Sequence, residues 1–220
     1  MNFLKVHDLL LEAYGPQRWW PARTPFEVMV GAVLTQNTAW TNVEKAIAKL
    51  HEAGAMEAEL ILKTPQRRVA AWIRSAGYFN VKAKRLRNFC AWYVGHGGEK
   101  RLRRLETVAL RHELLSINGV GPETADDILL YAFHRPVFVI DAYTRRLFSR
   151  LQMLEGDEPY DEMRGHIEAR LRRETRSKRK MVPLFNEYHA LIVRHGKEIC
   201  KPRPRCGVCC LAVHCPAAER

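Results

Sequence analysis

The chain has 220 residues, 47% hydrophobic and 27% charged, a composition that can bury a core without covalent staples and that excludes a disordered polymer. Its 36 Lys and Arg against 24 Asp and Glu leave a formal charge of +12, which points to a polyanionic partner. No apolar run reaches the roughly 18 residues a membrane span needs, so no membrane helix is expected.

In chain order, MNFLKVHDLLLEAYG places Asp8 and Glu12 inside an apolar stretch with no small-residue cleavage site. It reads as an amphipathic helix, not a secretion signal, and a cytoplasmic protein with reduced thiols is expected. Thr24-Pro25-Phe26-Glu27 is a capping box with proline at the first helical position, opening a helix to about Thr35. Val43, Ile47 and Leu50 then recur at helical spacing up to Gly54. Further helices are expected over 66–76, 81–95, 105–117, 122–133, 142–152, 160–174 and 183–198, with short connections and no period-two strand. The fold class is all-α. The basic runs Lys82–Arg87, Lys100–Arg104 and Arg170–Lys180 read as solvated helix faces, with a DNA-facing surface as the alternative. Cys90 stands alone in RNFCAWY and reads as a small buried hydrophobe.

Two segments carry more information than helical period. In Leu114–Ala125 an apolar helix stops, Asn118-Gly119-Val120-Gly121 makes a turn, and Pro122 starts the next helix. The turn's N–H groups and the positive end of that helix suit a phosphate oxygen, although an ordinary helix connector would look the same. Twenty residues on, Val139-Ile140-Asp141 precedes another amphipathic helix, where Asp141 reads as an N-cap.

Five of the six cysteines fall in the last 21 residues. Cys200, Cys206, Cys209 and Cys215 form a Cys-x5-Cys-x2-Cys-x5-Cys pattern, with Cys210 as a spare. Pro202, Pro204 and Gly207 suit a loop wrapped around one metal centre. Spacing alone leaves structural zinc and an iron–sulfur cluster both open. Lys201, Arg203 and Arg205 are expected on the loop's outer face.

Hairpin, aspartate and cysteine loop, in this order, resemble the helix–hairpin–helix DNA glycosylase superfamily, and specifically its endonuclease III branch. Leu34-Thr35-Gln36-Asn37-Thr38 is similar to that branch's glutamine-bearing segment. The resemblance covers nearly the whole chain. It implies a six-helix barrel domain over 22–133 that carries the hairpin. It also implies a terminal domain from 1–21 plus 134–220 with the cluster loop 200–215, and a DNA duplex across the cleft between the lobes. It further implies a 4Fe–4S cluster on Cys200, Cys206, Cys209 and Cys215, with zinc as the alternative; a first gap of five residues instead of six makes Cys210 a candidate substitute. Asn118, Gly119, Val120 and Gly121 would contact DNA, Gln36 would fill the gap left by a flipped nucleotide, and Asp141 would be catalytic. A monomer is expected.

Bifunctional members of the family carry a lysine two residues after the last hairpin glycine, which forms a Schiff base with the sugar. Here that residue is Glu123, and a carboxylate cannot form an imine. Trp19-Trp20-Pro21, the Gln36 segment and Gly-x-Glu-Thr-Ala-Asp together resemble the 3-methyladenine DNA glycosylase III type, in which aromatic side chains stack on an alkylated base. Trp40 and one of Trp19 or Trp20 match those aromatic positions. The expected enzyme is therefore a monofunctional glycosylase for alkylated purines in double-stranded DNA. A cationic base leaves easily, so Asp141 alone would suffice to stabilise the sugar cation and orient water. The alternatives are a glycosylase for oxidised pyrimidines or mismatched thymine or uracil, in which Glu123 helps, and a non-catalytic iron–sulfur DNA-binding protein. Arg145 and Arg146 are expected to face phosphate or solvent.

Overall fold

The computed structural model describes residues 1–175 and 181–218; the last five residues of the Arg170–Lys180 run lie outside it. The described residues form helices and turns, without strands. They divide into two compact units, Ala22–Arg135 and Met1–Pro21 with Pro136–Arg220. No helix among them is long and apolar enough to cross a membrane.

The contiguous unit is built on α2 (Pro25–Thr35), whose residues from Phe26 to Leu34 are all buried. Thr24 accepts the Glu27 N–H at 3.1 Å and Pro25 sits at the first helical position, so the start is set by local chemistry. Around it run α3 (Trp40–Glu52), α4 (Ala58–Lys63), α5 (Gln66–Trp72), α6 (Phe79–Gly95), α7 (Gly98–Leu102), α8 (Thr107–Leu115) and α9 (Pro122–Asp127). The unit closes at Arg135, whose backbone N–H reaches Leu129 O and whose guanidinium donates to Arg103 O and Leu105 O.

Three sequence expectations change. Helices α4 and α7, of six and five residues, are too short for periodicity to reveal. The helix expected over 122–133 is α9 followed by a π turn, Ile128–Ala132, and that expected over 66–76 is α5 followed by a 3-10 turn, Arg74–Ala76. The Lys82–Arg87 run is not a solvated face. Lys82 is 1% exposed and donates to Leu34 O at 2.8 Å and Ala76 O at 2.7 Å. Arg87 donates to Ile61 O and Thr64 O. Only Lys84 among the run's basic residues is fully exposed. These cations close the carbonyl ends of neighbouring helices, which a buried polar carbonyl requires. Cys90 is buried as expected, its thiol pushed up to about 12 by desolvation.

The split unit holds α1 (Phe3–Tyr14), α10 (Ala142–Arg150), α11 (Tyr160–Glu174) and α12 (Met181–Glu198). Tyr188 of α12 is its centre: Phe138 and Phe148 meet the ring edge-on, and its hydroxyl donates to Phe3 O at 2.7 Å. Val137, Phe138, Val139 and Ile140 are buried in the segment before α10. Glu168 accepts the Phe138 N–H at 2.9 Å and Tyr160 accepts the Ile140 N–H at 3.3 Å, so the approach to Asp141 is pinned from α11.

Candidate functional site

In the split unit, Asp141 caps α10: Oδ1 accepts the Thr144 N–H at 2.7 Å. Its other oxygen, Oδ2, lies 3.6 Å from Nε2 of His189 on α12. Both side chains are buried. Burial alone would raise the carboxyl pKa; the nearby imidazole of His189 and the Thr144 N–H outweigh it and hold the group below its ordinary value. Asp141 is thus an ionised carboxylate in a protected place. His189 was not foreseen from sequence, since nothing in its local context marks it.

The tryptophan pair belongs to this same unit. Trp19 and Trp20 are both partly exposed, with ring centroids 5.3 Å apart at 47°. Trp19 lines a surface cavity with Gln17 and with Val193, Arg194 and Lys197 of α12. Neither residue is core.

The hairpin lies in the contiguous unit, between α8 and α9. Gly119 adopts φ +100°, open only to glycine at low cost, and a Cβ there would come within 2.3 Å of Cγ of Arg85. Asn118 and Gly121 are exposed, Gly119 is partly so, and Val120 is buried. Gln36, just past α2, is locked to this turn. Its Nε2 donates to Gly119 O at 2.9 Å and to Thr124 Oγ1 at 3.0 Å, and Arg85 donates to its Oε1. Glu123 is exposed in the first turn of α9, and Trp40 is partly exposed at the start of α3.

The cysteine loop follows α12. Cys200, Cys206, Cys209 and Cys215 line one small cavity, of about 20 Å³, with Ile199, Ala212 and Arg150. Cys210 is not among its walls. Arg150 donates to Cys200 Sγ at 3.2 Å and to Lys201 O and Pro202 O, and Arg146 donates to Cys200 O at 2.7 Å and Gly196 O at 3.1 Å. The expectation for Arg145 and Arg146 is therefore corrected. Arg145 donates to Gly156 O and Glu158 O, so both guanidiniums bind internal carbonyls while remaining partly exposed. Lys201, Arg203 and Arg205 are exposed, as expected.

Burial pushes the Cys209 thiol up to about 11 and also raises that of Cys215, so a metal centre that takes up the charge favours the thiolates there. Among the described residues no three His, Cys, Asp or Glu side chains converge closely enough to share one ion. A single zinc would draw its sulfurs to about 2.3 Å. Four thiols around one cavity are a donor set that either an iron–sulfur cluster or a lone zinc can use.

A family model described as HhH-GPD superfamily base excision DNA repair protein matches residues 30–173. The chain belongs to that superfamily. Among its relatives, a Methanocaldococcus jannaschii protein that bears the name of a DNA repair glycosylase is 44% identical over 214 residues, 96% of this chain and 94% of the other. The endonuclease III of Thermotoga maritima is 31% identical over 200 residues, 89% of this chain and 84% of its own. Among solved structures, the H. pylori 3-methyladenine DNA glycosylase, bound to 1,N6-ethenoadenine, superposes with a TM-score of 0.78 at 27% identity. That match covers 90% of this chain and 98% of the other. This HhH-GPD protein is thus an enzyme of the base-excision-repair DNA glycosylase class, in its endonuclease III branch, and its all-α fold is the family's.

Proposed function

We propose that this HhH-GPD enzyme binds duplex DNA and hydrolytically removes alkylated purines of the 3-methyladenine kind, without a lyase step. The observation that carries the reading is the buried, ionised Asp141 at the start of α10, combined with a carboxylate, Glu123, where an imine-forming amine would stand. Asp141 is the proposed catalytic residue. Its negative charge stabilises the sugar as the bond to the base breaks, and it orients and deprotonates the attacking water. The buried amine of Lys82 offers no substitute for the missing lysine, because two carbonyls hold it.

The partly exposed faces of Trp19, Trp20 and Trp40 support a cationic base as substrate, since an electron-rich ring attracts positive charge. Asn118, Gly119, Val120 and Gly121 are the proposed DNA contact. Gln36 enters the duplex only after its bonds to Gly119, Thr124 and Arg85 break. The H. pylori relative, named for 3-methyladenine, supports the substrate class. The T. maritima endonuclease III supports a second reading on the same scaffold, an endonuclease III-like substrate base.

A base-release assay over a panel of damaged duplexes separates the two. Free 3-methyladenine or 7-methylguanine is expected, with no borohydride-trapped covalent complex. Release of oxidised pyrimidines with efficient trapping would overturn both the substrate and the mechanism.

In the cysteine loop, Cys200, Cys206, Cys209 and Cys215 are the proposed ligands of a 4Fe–4S cluster that braces the chain's C-terminal loop. The Cys215→Ser protein should lose visible absorbance and bound iron, and Cys210→Ser should keep both. Equal loss in the two variants would put Cys210 among the ligands, and stoichiometric zinc in a colourless protein would refute the cluster.

A further inference from the structure

The sequence leaves Asp141 a lone carboxylate; the fold gives it a partner. Helices α10 and α12 approach closely where Gly196 faces Tyr143. A Cβ on Gly196 would come within 2.5 Å of that ring, and Arg146 ties the two helices again through Gly196 O. About two turns earlier on α12, this packing sets the imidazole of His189 against Asp141. His189 is 5% exposed and its Nε2 is 3.6 Å from Oδ2.

We propose that His189 is the positioning residue for Asp141, holding the Oδ2 edge of the carboxylate from α12 while the Thr144 N–H holds the Oδ1 edge from α10. The inference rests on the reading of Asp141 as catalytic and assigns it a second, titratable neighbour. The two contacts fix the plane of the carboxylate, which a single cap would leave free to rotate. Contacts of catalytic groups are often this long before substrate enters and shorten in the substrate complex. Burial works against the ionised carboxylate, and His189 is the largest influence opposing it, ahead of Thr144.

Several charged groups on the helices of this unit have other partners. On α10, Arg145 and Arg146 donate to carbonyls and Arg150 to the cysteine loop. On α1, His7 pairs with Asp8 and Tyr14 with His195. On α12 itself, Glu187 accepts the Gln17 N–H and Arg194 donates to Tyr14 O. Tyr143, beside Asp141, has its phenol pushed up by burial and stays neutral.

The test follows the carboxyl carbon of Asp141 by NMR in protein labelled with ¹³C-aspartate, assigned by difference from Asp141→Asn, alongside the pH profile of base release. In His189→Leu the Asp141 titration should move up by about one pH unit or more, and the acid limb of base release should move with it. In His189→Gln, which keeps a neutral N–H donor, it should move less; this variant also serves if leucine unfolds the chain. An unmoved Asp141 titration in both variants overturns the inference, even if activity falls, because a merely structural histidine lowers activity at every pH. A titration that moves while the acid limb does not would leave the pairing intact and refute Asp141 as the catalytic group.

Discussion

Two helix starts in this protein look alike on paper and are used in opposite ways. At α9 the N-cap is Gly121, with Pro122 next and Glu123 exposed beyond it, so no side chain of the cap answers the first N–H groups. At α10 the N-cap is Asp141, which takes the Thr144 N–H itself and is buried with His189 behind it. A start capped by glycine brings no side-chain charge of its own; a start capped by aspartate uses an N–H to keep an internal anion ionised. The first arrangement suits holding a polyanion and the second suits reacting with something brought to it.

Substitutions at the two starts should therefore separate chemistry from binding. The largest effect belongs to α10. Asp141→Asn keeps a capping oxygen, so the helix survives, but it loses the charge; base release should fall by about 10²–10⁴-fold with duplex affinity unchanged. Equal loss of affinity would erase the distinction between the starts. A smaller effect belongs to the hairpin. Gly119→Ala forces a side chain into φ +100° and onto Arg85, at a cost of about 1–3 kcal/mol. It should weaken duplex binding in a salt-dependent filter or anisotropy titration and leave single-turnover base release at saturating enzyme near the original rate. A large drop in that rate would mean the hairpin does more than hold DNA.

What could be read from the chain alone follows a pattern. Thr24 and Asp141 were legible as caps because a cap is a bond between residues three apart. The hairpin was legible from Gly-Val-Gly-Pro, and the cysteine loop from spacing. The short helices α4 and α7 were not, since five or six residues carry no period. The Lys82–Arg87 run was misread because charge on a helix is ordinarily solvated. Whether Lys82 meets water or the carbonyls of Leu34 and Ala76 depends on what packs against α6. Gln36 was picked out as a residue, but not its bonds to Gly119 and Thr124, more than 80 residues away.

Residue order thus determined the longer helices, the capped starts at Thr24 and Asp141, the turn that needs glycine at 119 and the set of sulfurs, all of them products of contacts within a few residues. Tertiary packing decided which groups answer one another: His189 for Asp141, Arg85 for Gln36, Arg146 and Arg150 for the cysteine loop. The physical reason is range. A backbone N–H finds its cap next door, whereas a buried charge must be met by whatever helix the core brings against it.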